Sequence, residues 1–390
     1  MRILQVTPRF RPAVGGVEEH VYRISRELAR RGHNVTVITS NEADGKICPL
    51  NKENIEGIQV HRFPLFMSSI FRELWFIPKI LKILEELRGD VVHVHGYRCL
   101  SSFEAVYVSH AKNVPSVLTP HGIYPPRSFI NGLAKSFFDK SSGRLLLDFS
   151  DRIIALSEHN RRLLSQMGAS EKKVVIVPNG VNVEEYTNLH RSKRILDKLH
   201  TGGPVLLYVG RIDWNKRVDR IVEALPAILK DFPSAKFVVV GPDYANCVNE
   251  LLCLSKKLKV KDSLVITGNL PRQTLLEFYS AADVFLLPSS YEGFGLSMLE
   301  AMCSGIPVIA SPSGGPGDIL NDGTHALLLK EPSPGEISGS VHAALTDHSL
   351  REKLVKNALE LVKTKYTWKS VVDQLERIYG QTIAEKGARV

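Results

Sequence analysis

Residues 283–301 read Asp283-Val284-Phe285-Leu286-Leu287-Pro288-Ser289-Ser290-Tyr291-Glu292-Gly293-Phe294-Gly295-Leu296-Ser297-Met298-Leu299-Glu300-Ala301, and their order decides the fold. Val284 to Leu287 is a short unbroken apolar run of the kind buried in a parallel sheet, and Pro288 ends it because proline cannot donate to a sheet ladder. Downstream, Leu296, Leu299, Met302 and Cys303 repeat at helical spacing, and Ser304-Gly305 followed by Pro307 closes the helix. A strand therefore delivers a loop that opens a helix, the repeating unit of an α/β sheet. Free N–H groups near Gly293 to Leu296 would point at whatever lies above the strand end, and the helix dipole favours a phosphate there.

Two carboxylates stand in this stretch, Glu292 in the loop and Glu300 inside the helix. A glutamate in either place can be no more than favourable dipole electrostatics or a solvated helix face. Their company argues for more. Glu292 shares its loop with two glycines, and Glu300 interrupts a mostly apolar helix, where a polar group needs a partner.

The two glutamates are separated by seven residues and flanked as Tyr-Glu-Gly-Phe-Gly-Leu and Glu-Ala-Met. This pattern resembles the paired-glutamate signature of the retaining nucleotide-sugar glycosyltransferases of family four. The resemblance implies an α/β GT-B architecture: two Rossmann-like domains facing a central cleft, with a C-terminal helix crossing back to the first. It implies metal-independent transfer of a hexose-type sugar from a UDP- or GDP-sugar to a hydroxyl of a glycolipid, lipid-linked or polysaccharide precursor. The nucleotide sugar is then a co-substrate, and no cofactor and no metal are expected. By the same resemblance Glu292, with Gly293 and Phe294, holds the sugar, Glu300 accepts the ribose hydroxyls, and Gly295 and Leu296 offer amides to the diphosphate. Whether Glu292 also acts as a nucleophile, or the leaving phosphate helps deprotonate the acceptor on the same face, stays open.

Upstream, Val205 to Val209 is another apolar run, followed by Gly210-Arg211-Ile212-Asp213-Trp214-Asn215-Lys216. Two cations at the C-terminal end of a strand can neutralise a diphosphate, Arg211 by a planar fork and Lys216 as a point charge. Either alone could be an ordinary surface-loop cation. The order Gly-Arg, then Lys, resembles the diphosphate motif of the family. Gly268-Asn269-Leu270, after a run at Leu264–Gly268, is similar to the family's nucleobase loop, where recognition is largely by backbone.

The N-terminal half opens with a βαβ unit. Strands are expected at Arg2–Thr7 and Val35–Thr39, and between them Val17, Val21, Ile24 and Leu28 share one helix face. Gly15-Gly16 at the helix start either admits a ligand or only permits the turn. The spacing is not Gly-x-Gly-x-x-Gly, which argues against a dinucleotide site. In the family a diglycine here borders the donor phosphates and the acceptor.

Further strands are expected at 59–63, 91–95, 116–119, 152–156 and 174–177. His93 and His95 share one sheet face; with no third ligand near in sequence, packed or hydrogen-bonded histidines are favoured over a metal site. His121, in Thr119-Pro120-His121-Gly122, stands at a strand's C-terminal end, where ligands gather in open α/β sheets. The family often has a catalytic-site histidine there, close to the transferred sugar.

The 390 residues suffice for two domains. The expected division is 1–190, with the terminal helix from about 368 to 390, and 204–367, joined by a polar linker at 188–204. The net charge of +9 is confined to one half: residues 1–200 carry 29 Lys+Arg against 20 Asp+Glu, and residues 201–390 carry 21 of each. An anionic partner for the N-terminal domain follows, such as a membrane surface, a lipid phosphate or an acidic glycan. No nucleic-acid motif accompanies the charge. Ser69 to Leu87 and Phe129 to Leu147 combine apolar and basic residues and could lie on a membrane, although such stripes more often face a core.

Cys48, Cys99, Cys247, Cys253 and Cys303 are scattered without Cys-x-x-Cys, which predicts reduced thiols. With no signal peptide and no long apolar run, a cytoplasmic protein is expected, peripheral to the inner face of a membrane if it touches one. Two alternatives remain at this stage: a nucleotide-sugar epimerase on the same fold, and a non-enzymatic sugar-nucleotide sensor.

Overall fold

The computed structural model describes residues 1–13, 15–43, 46–64, 66–67, 75–76, 80–122, 129–244 and 246–388. The chain forms two compact units: Met1–Gly180 with Trp368–Val390, and Val181–Thr367.

In the first unit eight strands build one sheet: β1 (Arg2–Val6), β2 (Asn34–Ser40), β3 (Lys52–Ile55), β4 (Ile58–Phe63), β5 (Val91–His95), β6 (Ser116–Thr119), β7 (Arg152–Ala155) and β8 (Val174–Ile176). Their order is β8-β7-β6-β5-β1-β2-β4-β3. All pairs are parallel except the β3–β4 hairpin at the edge. The apolar runs are those of strands covered on both faces. One face packs on the helix Gly16–Arg30 and the terminal helix Trp368–Gly387 through Ile3, Val35, Val117, Val371, Leu375 and Tyr379. Arg31 fastens the two helices by ion pairs of 2.7 Å to Asp373 and 2.5 Å to Glu376.

The second unit is a six-stranded, wholly parallel sheet: β9 (Val205–Val209), β10 (Lys236–Val240), β11 (Leu264–Gly268), β12 (Val284–Leu287), β13 (Val308–Ala310) and β14 (Leu327–Leu328). The order β11-β10-β9-β12-β13-β14 reverses direction between β9 and β12. In open α/β sheets that crevice is where ligands bind.

The structure corrects one sequence expectation, adds one strand, and bears out the core reading of one stripe where it is described. The division falls at Gly180, ahead of the polar stretch 188–204 expected to link the domains. That stretch carries the helix Lys193–Lys198 and buries Ile195 and Leu199 in the second unit, so it is part of that unit's body. The edge strand Lys52–Ile55 was not anticipated, because its polar, half-exposed residues lack an apolar run. The stripe is the basic apolar one at Ser69 to Leu87. Ile70, Leu74, Ile77 and Pro78 lie outside the described residues, whereas in the helix Ile80–Leu87 residues Ile80, Ile83 and Leu84 are buried in the core.

Candidate functional site

Two constellations bring together the expected residues, one in each unit. In the second unit the loops after β9 and β12 emerge side by side, since Leu207 pairs with Phe285. Ser290 binds the Asn215 carbonyl through both its N–H (2.8 Å) and its hydroxyl (3.0 Å), which locks the two loops together. Lys216 ends the short helical turn Trp214–Lys216, and its buried ammonium lies 2.7 Å from Glu292 Oε2. Arg211 lies over the Tyr244 ring at 4.8 Å, and its carbonyl accepts from Tyr208 at 2.8 Å. Burial, and then the charge of Glu292, push the Tyr208 phenol well up, so it remains a neutral donor.

The backbone of Glu292 is clamped by a loop that sequence reasoning did not count among the site residues. Gly315 N–H donates to the Glu292 carbonyl at 3.0 Å, and Glu292 bridges to Gly314. Gly314 has φ 73°, and a Cβ there would lie 2.1 Å from that carbonyl oxygen. Its only trace in sequence is the run Ser313-Gly314-Gly315-Pro316-Gly317. Gly295, at φ 90°, opens the helix Leu296–Cys303, and Met298 and Leu299 make the first bonds to its carbonyl. The amides preceding them, including that of Leu296, point out of the helix end. Gly293 belongs to the same loop, and Phe294 is buried with its ring centroid 6.0 Å from that of Tyr366, so Phe294 can offer a ligand its backbone only.

Glu300 is no solvated helix face. Its carboxylate accepts from Tyr279 at 2.7 Å and from Arg272 at 3.2 Å, and Arg272 also donates to Glu185 at 2.8 Å and lies 5.0 Å over the Tyr186 ring. Burial, then the Glu300 charge, raise the Tyr279 hydroxyl far above its usual range. Arg272 opens the helix that follows Gly268, Asn269 and Leu270, so the loop expected at the nucleobase and Glu300 are neighbours. Arg272 and Tyr279 gave no sequence signal, because their role depends on where helix 272–281 packs.

In the first unit His93 and His95 on β5 meet Gln5 on β1 and Thr119 on β6, which share their sheet face. His95 Nε2 lies 2.7 Å from Gln5 Oε1 and its Nδ1 lies 3.0 Å from His121 Nε2. His93 Nδ1 lies 2.6 Å from the Tyr379 hydroxyl and its Nε2 2.8 Å from Thr119 Oγ1. His20 packs edge-on at 4.9 Å from His121 and 5.6 Å from Trp368. His121 is held at φ 57°, a left-handed conformation that costs a non-glycine residue about 1 kcal/mol or more.

Burial holds His93, His95 and His121 well below the usual imidazole range, and the neighbouring rings add to it. His20 is pushed down to about 4 by burial, with the nearby Asn179 side chain opposing. All four rings are therefore neutral near pH 7. The absence of a third potential ligand near the His-x-His pair does not survive folding: ring nitrogens of His20, His95 and His121 lie within 4.8 Å of one another and could hold a metal ion. Gly15 and Gly16 open the first helix, where Glu18, paired with Arg9 at 2.7 Å, folds back over Gly15. A phosphate there would have to displace that carboxylate.

Two Rossmann-like parallel sheets in one chain, each with its own loop constellation, are the building blocks of the GT-B fold. The family model described as Glycosyltransferase Family 4 matches residues 14–185, and that described as Glycosyl transferases group 1 matches residues 192–361. An uncharacterized glycosyltransferase of Methanocaldococcus jannaschii is 30% identical over 97% of this chain and 98% of its own length. The alpha-monoglucosyldiacylglycerol synthase of Streptococcus pneumoniae is 27% identical over 92% of this chain and 83% of its own. In three dimensions the chain is similar to Anabaena HepE in complex with UDP, with a TM-score of 0.80 and 19% identity over 98% of this chain and 100% of that one. HepE has also been solved with UDP-glucose; that structure gives a TM-score of 0.74 and 18% identity over the whole of both chains. The chain belongs to glycosyltransferase family 4.

Proposed function

We propose that this glycosyltransferase moves a hexose, with retention at the anomeric carbon and without a metal, from a UDP-sugar to a hydroxyl of a membrane glycolipid precursor. The observation that carries the reading is the Lys216–Glu292 pair at the switch point of the second sheet, beside the helix end at Gly295. Arg211, Lys216 and the amide of Leu296 would stabilise charge growing on the leaving diphosphate, an electrostatic role that needs no metal. Glu292, with the backbone of Gly293 and Phe294, would hold the sugar, His121 would meet one of its hydroxyls, Glu300 the ribose, and 268–270 the base. The bond from the anomeric carbon to the diphosphate oxygen breaks, the bond to the acceptor oxygen forms on the same face, and the acceptor proton passes to the leaving phosphate. The ammonium 2.7 Å from Glu292 supports this route over nucleophilic attack, because a paired carboxylate is a poorer nucleophile. Family membership favours transfer over epimerisation or sensing.

UDP is favoured by the UDP and UDP-glucose that HepE binds. A glycolipid acceptor is favoured by the diacylglycerol named for the Streptococcus relative and by the surface of the first unit. There Leu133, Phe137 and Leu145 are 57%, 76% and 42% exposed, beside exposed Lys140 and Arg144. Such a surface suits an anionic bilayer. Among the described residues no helix is long and apolar enough to cross a membrane, so contact would be peripheral.

The test is a thermal-shift and turnover screen against UDP-, GDP- and ADP-sugars in EDTA, with vesicles of neutral and anionic diacyl lipids as acceptor. Stabilisation by UDP, and a product whose anomeric configuration matches the donor, are expected. An inverted product would overturn retention, and turnover that requires a divalent ion would overturn the metal-free reading. Flotation with anionic vesicles should weaken on Phe137→Ser.

A further inference from the structure

Gln5 and His95 have no place in the transfer described above, yet both are fully buried polar groups, His95 hydrogen-bonded to His121 and Gln5 to His95. A buried polar network must match every donor to an acceptor, so its direction is fixed as a whole. Two directions are self-consistent, and they differ in which way the Gln5 amide faces. The Gln5 amide decides between them: its Nε2 lies 3.5 Å from the Tyr379 hydroxyl and its Oε1 2.7 Å from His95 Nε2, so the Tyr379 oxygen accepts from Gln5 and its own proton is left for His93.

Tyr379 therefore donates to His93 Nδ1, and His93 Nε2–H donates to Thr119 Oγ1. The Tyr379 oxygen is left to accept from the Gln5 amide nitrogen, 3.5 Å away. Gln5 Oε1 then faces His95 and can only accept, so the His95 proton is on Nε2 and its Nδ1 is bare. The bare Nδ1 accepts from His121 Nε2–H. Each neutral ring has one N–H, which leaves His121 Nδ1 without a proton.

We propose that Gln5 and His95 are positioning residues that fix the tautomer of His121, so that His121 Nδ1 presents a lone pair to the ligand and selects a hydroxyl donor there. The left-handed backbone at His121 is the strain such a fixed ring position would retain. The role of His121 toward the sugar rests on the function proposed above; the tautomer does not.

The test is nitrogen NMR of the full chain labelled with ¹⁵N-histidine, with His93, His95 and His121 assigned by single His→Gln variants. All three rings should be Nε2–H tautomers at pH 7. Gln5→Leu should turn His95 and His121 into tautomer mixtures and lower kcat about tenfold, with donor KM changed less. Nδ1–H at His121, or one tautomer persisting in Gln5→Leu, would overturn the proposal. So would stoichiometric zinc bound by His20, His95 and His121 that survives dialysis against chelator. Expected tautomers without turnover of any donor would sink the proposed function alone, while turnover with reversed tautomers would sink only the relay.

Discussion

Lys216 Nζ lies 2.7 Å from Glu292 Oε2, joining the loop after one central strand to the loop after its neighbour, with both side chains largely buried. The pair holds in mutual register the ammonium and the carboxylate to which the proposed function gives the diphosphate and the sugar. It also neutralises two charges that would be costly apart.

Removing one partner should therefore harm the fold as well as catalysis. Lys216→Met should cost about 3 kcal/mol by leaving a buried carboxylate unpaired, and adding Glu292→Gln should recover most of the loss. Urea unfolding of both single variants and the double variant measures this; additive losses would show that the two groups are not coupled.

Gly314→Ala should cost about 2 kcal/mol and most of the turnover, because its Cβ would meet the Glu292 carbonyl at 2.1 Å and its φ is 73°. Gly323 is also left-handed, at φ 62°, but nothing lies within 4 Å of its added Cβ. Gly323→Ala should cost only the backbone term, about 1 kcal/mol, with turnover unchanged. Equal loss of activity in the two variants would refute the clamp.

Arg272→Gln should raise the donor KM about tenfold with a smaller change in kcat, since Glu300 would lose a charged group that aims its carboxylate. Tyr279→Phe should act in the same direction. Initial rates at varied donor concentration separate the two constants, and an unchanged KM would remove Glu300 from ribose binding.

The histidine cluster predicts the acid limit of stability. His20 is held at about 4 in the folded chain against about 6.5 unfolded, so below pH 6.5 the unfolded chain binds more protons. Stability is complete above pH 6.5 and falls as pH drops towards 4, by roughly 3 kcal/mol from His20 alone. His93, His95 and His121 shift in the same direction and steepen the loss. Melting of His20→Gln across pH 4 to 7 should show a shallower slope; the wild-type slope in the variant would exclude His20 as a source.

Much of this protein could be read from local order. Val284 to Leu287, Val205 to Val209 and the other apolar runs fixed strand positions within a residue or two, because burial on both sheet faces demands continuous apolar side chains. The resemblance carried by Glu292 and Glu300 with their flanks, and by Arg211 and Lys216, marked the loops at the sheet's switch point. The edge strand Lys52–Ile55 left no such trace, since one side of an edge strand faces water.

Order along the chain determined the α/β class, the parallel sheets and the glutamate-bearing loop, since each follows from residue periodicity over fewer than twenty positions. Only the tertiary structure decided who partners whom. Gly314 clamps Glu292 from 22 residues away, Arg272 reaches Glu300 across 28, and Tyr379 meets His93 across 286. Periodicity carries no information about such partners. Buried polar groups must be satisfied wherever packing brings a donor or an acceptor, and that depends on how distant elements pack.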